Sequence, residues 1–233
     1  MLPPYLSLAL LTGLAWVILA FLRKEMRTKM MIMSLAVIPF AFFDYFSQPN
    51  YWHPVRLFSI PVGIESILFG FAFGGVAAVV YPSKVVSQIL PVKRNTVLRN
   101  LIALSPVLII SIGIWLIADI NIMITLPFGL LAGCLLILAL RPTLGKNIFY
   151  SGLYFGLLYP AILYLWFWLF PYTQSWWNLE VYNNITILNI PLGEVIFGFL
   201  FGGFWGAAYE FLFSTKAEVA TSLDPPGGQT LQS

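Results

Sequence analysis

Long runs of hydrophobic residues, separated by short polar segments, make up most of the chain. Seven runs are long enough to cross a membrane, and they cover residues 3–22, 30–47, 58–81, 100–118, 121–140, 148–170 and 188–213. Because lipid offers the backbone no hydrogen-bonding partners, uninterrupted runs of this length predict helices. They lack the short segments of alternating polarity that are typical of a membrane barrel. The pattern therefore predicts an all-α membrane protein with seven transmembrane helices.

Basic residues are unevenly distributed among the segments that connect these runs. Of the 12 Lys and Arg residues, 11 follow the first, third, fifth or seventh run, and only Arg56 lies on the other side. Lys and Arg collect on the cytoplasmic side of membrane proteins, so we expect the N terminus outside and the C terminus inside. The same asymmetry explains the net charge of +3 as an orientation signal, and we expect no nucleic-acid partner.

Composition excludes several classes of function. Of the 233 residues, 60% are hydrophobic and 9% are charged, which leaves no room for a separate soluble catalytic domain. The only cysteine, Cys134, lies in an apolar run, so an intrachain disulfide and a cysteine metal cluster are excluded. A single histidine excludes a histidine-rich metal site, and no lysine lies inside a predicted span to bind retinal. We expect neither a metal nor an organic cofactor.

One motif occurs twice in the chain. Residues 63–75 align without gaps on residues 191–203, and both copies read Phe-Gly-Phe-x-Phe-Gly-Gly after a glutamate, Glu65 or Glu194. This predicts two parallel three-helix repeats, which tend to place a shared site between them. The predicted divisions are a first repeat at 1–81, a basic cytoplasmic loop with a connector helix at 82–120, a second repeat at 121–213 and a disordered cytoplasmic tail at 214–233.

Small residues recur at every fourth position in the third and seventh runs, which predicts close helix packing. Glu194 lies four residues before Gly198 and so shares this stripe of small residues. In the other copy Ser66 takes the equivalent position, whereas Glu65 is rotated by about 100° around the helix. We nevertheless expect the two crossing helices to bring both glutamates into one central space.

Acidic residues inside a bilayer are energetically costly, so each is a candidate functional residue. Asp44, Glu65 and Glu194 lie towards the predicted outer face, and the depth of the two glutamates favours the neutral acid. A chemical role and a structural hydrogen bond to a neighbouring helix are both consistent with this placement. Glu210, near the other end of the seventh run, is predicted to be a solvated end group.

The segment between the second and third runs concentrates polar and aromatic residues. Arg56 is predicted to form a salt bridge with Asp44 or Glu65, or alternatively to contact a substrate. Trp52 and, in the second repeat, Trp177 are typical of the aromatic belt at a membrane surface. His53 is either an ordinary surface residue or a proton shuttle.

Together these residues resemble the lycopene cyclase domain family, integral-membrane carotenoid cyclases that occur as paired subunits or as one fused chain. Its three-helix units carry an aspartate at the end of helix two, a tryptophan in the next loop, and a Pro-x-Glu-Glu motif followed by aromatic residues. The matching residues here are Asp44, Trp52, Glu65 and Phe69 in the first unit, and Trp177, Glu194 and Phe197 in the second. Each unit keeps one of the two adjacent glutamates, and an apolar residue replaces the second aspartate.

The resemblance implies a redox-neutral isomerisation of a lycopene-like polyene. An acid protonates a terminal double bond, the resulting cation closes to a ring, and a base removes a proton. The catalytic residues it implies are Glu65, Glu194 and Asp44, and the substrate-binding residues are Trp52, Arg56, Phe69, Phe197 and Trp177. The expected partners are membrane lipid, the apolar polyene and a second copy of the chain in a homo-oligomer, and the expected location is a prokaryotic cell membrane.

Two other functions stay open at this point. The chain could bind a carotenoid or lipid without changing it, having lost part of the acid machinery. It could also be a small carrier for a proton or solute, because buried acids at a repeat interface are typical of transporters. The acids lie near one face, however, with no polar path through the rest of the membrane.

Overall fold

The computed structural model describes residues 3–48, 50–58, 60, 62–81 and 94–213. The predicted basic loop over 82–93 and the predicted tail over 214–233 lie outside these residues. The α-helices of the described part are α1 (Pro4–Leu22), α2 (Arg27–Val37), α3 (Phe43–Ser47), α4 (Ile64–Val79), α5 (Arg94–Ala118), α6 (Ile122–Leu140), α7 (Gly145–Leu169) and α8 (Leu192–Phe213).

Short 3₁₀ segments and one small hairpin connect these helices. The 3₁₀ segments are Lys24–Met26, Ile38–Phe42, Pro142–Leu144, Pro171–Trp176 and Leu179–Tyr182. The segment Ile38–Phe42, which contains Pro39, joins α2 to α3, so that α2 and α3 form one interrupted rod. Before α8, strands β1 (Thr186–Ile187) and β2 (Ile190–Pro191) pair antiparallel.

Six helical stretches in the described part of the chain are long and apolar enough to cross a membrane. They are Pro4–Leu22, Lys24–Ser47, Val97–Ala118, Ile122–Leu140, Pro142–Leu169 and Leu192–Phe213. These stretches match the first, second, fourth, fifth, sixth and seventh predicted runs. The protein is thus a helical, multi-pass integral membrane protein.

The helix in the third predicted run, α4, is shorter than the run itself. It begins at Ile64 and has 16 residues, whereas the hydrophobic run begins at residue 58. Side chains satisfy part of the irregular backbone before it, because Arg56 Nη1 donates to the Ile60 carbonyl at 3.1 Å and Leu57 N donates to Glu65 Oε1 at 2.5 Å. Hydropathy detects the apolar composition of this segment but not these local contacts.

Helices α4 and α8 lie at the centre of the bundle. α4 packs against α1 and α2, α8 packs against α6 and α7, and the two central helices contact each other. A side chain at either Gly74 or Gly202 would collide with a neighbouring helix. A Cβ atom at Gly74 would lie 3.1 Å from the Met33 carbonyl oxygen, and a Cβ atom at Gly202 would lie 2.8 Å from the Ser151 carbonyl oxygen. The glycines therefore permit close helix packing, as predicted.

Buried charges lie at the far end of α8, where sequence reasoning predicted a solvated Glu210. That prediction is wrong, because Glu210 is only 1% exposed and Lys29 Nζ lies 2.6 Å from its Oε1 atom. Arg141 Nη1 donates to the Glu210 carbonyl at 3.1 Å, and Asn100 Nδ2 donates to the Phe211 carbonyl at 2.8 Å. The last carbonyl groups of a helix have no partners within it, and these donors supply them.

Candidate functional site

A cavity of about 150 Å³ lies between the two central helices at the Asp44 end of the bundle. Most of its walls are aliphatic or aromatic, and two carboxyl groups face it, Asp44 from the first half of the chain and Glu194 from the second. The other polar side chains that line it are Tyr5, Ser47, Tyr51, Trp52, Ser66, Tyr159 and Trp177. A volume of this size holds a benzene-sized group, and so the end of a long molecule.

Asp44 is held by donors from three separate segments. Its Oδ2 atom accepts hydrogen bonds from Arg56 Nη2 at 2.8 Å, from Ser66 Oγ at 2.5 Å and from the Tyr5 hydroxyl at 3.3 Å. Its Oδ1 atom is buried and accepts no hydrogen bond from the described residues. One oxygen therefore fixes the carboxylate in place.

Glu194 lies in the first turn of α8 and is 6% exposed. Its Oε2 atom accepts a hydrogen bond from the Tyr159 hydroxyl at 2.6 Å, and its Oε1 atom accepts one from Trp177 Nε1 at 2.9 Å. The only ion pairs between described residues are Lys29–Glu210 and Arg56–Asp44. Glu194 is therefore held by neutral donors, whereas Asp44 has a cation beside it.

Two tyrosines from the connecting segments border the Glu194 side. Burial raises the pKa of Tyr51 well above its usual value, and the charge of nearby Glu194 raises it further. Burial also raises the pKa of Tyr182 to about 12, and the Tyr182 hydroxyl donates to the Met123 carbonyl at 2.7 Å. Both phenols are therefore neutral at physiological pH and add no charge beside Glu194.

Glu65 does not line the cavity. It is fully buried at 0% exposure, and its Oε1 atom accepts the hydrogen bond from Leu57 N. Its Oε2 atom has no hydrogen-bond partner among the described residues. The next residue, Ser66, faces the cavity in the position that Glu194 occupies on α8, as the spacing from the glycine stripe indicated. A catalytic role for Glu65 stays a prediction.

Four of the five predicted substrate-binding residues line the cavity: Trp52, Phe69, Trp177 and Phe197. Arg56, the fifth, does not line it and instead pairs with Asp44. The Trp52 and Trp177 rings stack with their centroids 5.5 Å apart, and Phe73 stacks on Phe197 at 5.7 Å. The two carboxyl groups are therefore set among aromatic rings contributed by both halves of the chain.

The segments that follow α3 and α7 pair across the top of the cavity. His53 N donates to the Trp176 carbonyl at 2.8 Å, and Asn178 N donates to the Tyr51 carbonyl at 2.7 Å. These bonds flank an antiparallel bridge between Trp52 and Trp177. The two tryptophans predicted to form a surface belt thus take part in an ordered cap over the site.

Sequence reasoning missed Tyr5, Ser66 and Tyr159 as partners of the carboxyl groups. Ser66 was detectable from its position on the small-residue stripe, whereas the two tyrosines read as ordinary members of apolar runs. Among the described residues, no group of three or more His, Cys, Asp or Glu side chains is arranged to hold a metal ion.

Comparison with known proteins bears on the second half of the chain. Residues 121–212 match the family model described as lycopene cyclase. This stretch includes α6, α7 and most of α8, and therefore Tyr159, Trp177 and Glu194. No curated protein and no solved structure matches the chain. The resemblance noted from the sequence is therefore confirmed for residues 121–212, the part of the chain that the lycopene cyclase family model covers.

Proposed function

We propose that this protein is a carotenoid end-group cyclase that converts a linear lycopene-like end group to a ring. The observation that carries the proposal is the aromatic-lined cavity into which each half of the chain places one buried carboxyl group, Asp44 and Glu194. Cyclisation needs one acid and one base but no net electron transfer. The family match supports the same chemistry.

Glu194 is the better proton donor of the pair. Its contacts are the neutral donors Tyr159 and Trp177, and a carboxyl group buried without a cation is more stable as the neutral acid. In the proposed step it transfers its proton to the terminal double bond of the polyene. The resulting carbocation then accepts electrons from a second double bond, which closes the ring and moves the charge onto a ring carbon.

Asp44 is the better proton acceptor. Arg56 stabilises the ionised form that a base must have, and the unpartnered Oδ1 atom can take a proton from the carbon next to the cation. Loss of that proton leaves a ring double bond, so the product is an isomer of the substrate. The substrate gains one proton from Glu194 and loses one to Asp44, and the site is reset when Asp44 has released its proton and Glu194 has taken one up.

Aromatic faces would stabilise the intermediate between these two steps. Phe69, Phe73 and Phe197 lie at the cavity or beside it, and Tyr159 is 4.9 Å from Phe73. A cation over an aromatic ring gains about 0.5–2 kcal/mol, and more where water is excluded. The cap that contains Trp52 and Trp177 would exclude water, which would otherwise capture the cation as an alcohol.

We also propose that the chain is built from two parallel repeats, with its N terminus outside and α4 as a seventh crossing. Equivalent contacts support the repeat. Gly70 faces Ala41 in the first half, and Gly198 faces Tyr159 in the second. Gly70 and Gly198 are 128 residues apart in the chain, whereas their partners Ala41 and Tyr159 are 118 residues apart. The two contacts are therefore equivalent if the segment between the contacting helices is ten residues longer in the second half. The site would then lie at their interface.

The first test is expression in a lycopene-accumulating bacterial host, with the pigments separated by chromatography and mass. A cyclase gives a ring-bearing isomer of unchanged mass. Conversion of pre-formed, unlabelled lycopene by the purified protein in deuterated water sharpens the result, because protonation by an exchangeable acid then adds one solvent deuterium per ring formed. Recovery of intact lycopene bound to the purified, folded protein would instead indicate a carotenoid-binding protein and overturn the proposal.

A matched control uses an exposed acid on the same side of the bundle. Asp119 follows α5, is exposed and has a positive φ of 51°, a conformation that asparagine tolerates well. We expect Asp119→Asn to form product like the unchanged protein, whereas the Asp44→Asn, Glu194→Gln double variant forms none. Equal activity in all three proteins would show that neither carboxyl group takes part.

A further inference from the structure

Three sides of the cavity are closed by direct contacts. On the first side, the cap is held by the backbone bonds of His53 and Asn178 and by the Trp52–Trp177 stack. Trp52 also packs edge-on against Tyr5 at 4.8 Å. A long apolar molecule therefore does not reach the cavity from the aqueous phase above the cap.

A layer of aromatic rings closes the opposite side, towards the centre of the bundle. The ring centroids of Phe73 and Phe201 lie 4.8 Å apart, and Phe201 stacks on Trp205 with centroids 5.5 Å apart. The Trp205 and Phe40 centroids are 5.6 Å apart. Beyond this layer lies the ion pair of Lys29 with Glu210. The rings separate the cavity from the charged end of α8.

The contact between α1 and α7 closes the third side. Trp166 Nε1 on α7 donates to the Pro4 carbonyl at 3.0 Å and to Ser7 Oγ at 2.9 Å. Trp166 and Tyr5 are 0% and 1% exposed. This pair of helices therefore leaves no path to the lipid.

The fourth side lies between the interrupted rod of α2 and α3 and the start of α6. Phe40 and Phe43 come from the rod, Met123 and Leu126 come from α6, and all four line the cavity while remaining only partly buried. Phe46 on α3 contacts Trp115 on α5 at 5.3 Å, which covers the end of this side near the cap. Among the described residues, apolar side chains thus flank the side of the cavity that these contacts leave facing the bilayer.

From this arrangement we infer that the polyene reaches the cavity sideways from the lipid, between Phe40 and Phe43 on one flank and Met123 and Leu126 on the other. The inference rests on the proposed function for the identity of the ligand. The cavity holds only a benzene-sized end, so the conjugated chain must extend through this opening into the bilayer. One end group therefore occupies the site at a time, and a second ring requires release and rebinding of the molecule.

The opening can be tested without any catalysis. Cys134→Ser removes the only native thiol. Three variants of this protein then each carry one new cysteine, labelled with a nitroxide spin label. The labelled positions are 126, 135 on the lipid-exposed part of α6, and 184 in an exposed connecting segment. Collisions with oxygen report lipid access, and collisions with a water-soluble nickel chelate report water access. We expect the oxygen and nickel-chelate collision rates at position 126 to resemble those at position 135. Added lycopene should lower the oxygen collision rate at position 126 and leave it unchanged at the other two positions.

Two results of that measurement would overturn the inference. One is nickel access at position 126 equal to that at position 184, which would mean that the cavity opens to water. The other is oxygen access at 126 that lycopene leaves unchanged while the same vesicles show bound lycopene. Both readouts are independent of product formation, so an inactive protein would contradict the proposed function and leave the test of the opening valid.

A kinetic variant tests the same opening in the active protein. Leu126→Trp narrows the path, and we expect it to raise the lycopene concentration for half-maximal rate by about tenfold with little change in the maximal rate. Leu135→Trp adds the same bulk on the same helix at a residue that is 56% exposed and does not line the cavity, and we expect it to leave both values unchanged. Identical kinetics in the two variants would place the opening elsewhere.

Discussion

Buried acids occur at both ends of the bundle, but their surroundings differ. At one end Asp44 and Glu194 face a cavity, and Asp44 keeps one oxygen without a protein partner among the described residues. At the other end Glu210 is paired with Lys29, and the backbone around it is covered by Arg141 and Asn100. No lining residue of the cavity comes from that second cluster. The comparison places the candidate site at the end where the carboxyl groups face a cavity.

The largest expected effect is on the two acids that face the cavity. General acid–base groups contribute about 10²- to 10⁴-fold to rate, so we expect Asp44→Asn or Glu194→Gln alone to lower cyclisation at least 100-fold. Both changes preserve side-chain size, and the amide oxygen can still accept a hydrogen bond. Product formed per mole of purified protein measures the effect.

Asp44→Asn leaves Arg56 without its ion partner, so loss of folding must be separated from loss of chemistry. A single symmetrical peak in size-exclusion chromatography and retained lycopene binding would show that the variant is folded. Full activity of either single variant would remove that carboxyl group from the mechanism.

A smaller effect is expected from the tyrosine that positions Glu194. Tyr159→Phe keeps the ring that packs on Phe73 but removes the hydroxyl bound to Glu194 Oε2. Glu194 becomes charged as it gives up its proton, and a hydrogen bond to a charged group is worth about 1.5–3 kcal/mol, which corresponds to a loss of about 10- to 150-fold in rate. The rate as a function of pH distinguishes positioning from packing, since Glu194 must be protonated to act and only the lost hydroxyl shifts the alkaline limb of the profile.

Glu65→Gln is expected to have a still smaller effect on turnover, below about tenfold, because no atom of Glu65 lines the cavity. Its amide oxygen can replace Oε1 as the acceptor for Leu57 N. Thermal unfolding and pigment analysis of the same preparation measure both consequences. A 100-fold loss of turnover with unchanged stability would instead support the catalytic role that the family motif implies for Glu65.

The smallest effect on turnover is expected at the opposite end of the bundle. Lys29→Met breaks a buried ion pair, which typically costs about 3–5 kcal/mol of stability, yet the activity of the molecules that remain folded should not change. Adding Glu210→Gln removes the uncompensated charge and should recover part of the lost stability. A loss of turnover in the stable double variant would mean that the two clusters are coupled and would break the comparison.

The sequence predicted most of the fold, because apolar runs of about 20 residues have few alternatives to membrane helices. It overestimated the length of α4, where Leu57 N bonds to a side chain in place of a helical carbonyl. Whether α4 completes a seventh crossing, and whether the two halves are true repeats with the N terminus outside, remain proposals.

The site was predicted less completely than the fold. Asp44 and Glu194 were identified because charged groups are conspicuous in apolar runs, and both face the cavity. Glu210 was misassigned because hydropathy does not reveal that Lys29, from a distant segment, lies beside it. The tyrosine partners could not be identified, since a buried hydroxyl and a lipid-facing one look the same in a sequence of this composition.

The short α4 helix has a consequence for the surrounding bilayer. Sixteen residues of helix span about 24 Å, whereas the hydrocarbon core of a typical bilayer is about 30 Å thick. In the proposed seven-crossing topology this hydrophobic mismatch is compensated by local thinning of the leaflet beside α4 or by burial of the preceding segment. Acyl-chain length therefore becomes a variable that controls how deeply Asp44 and Arg56 lie, and thin bilayers should favour the arrangement described here.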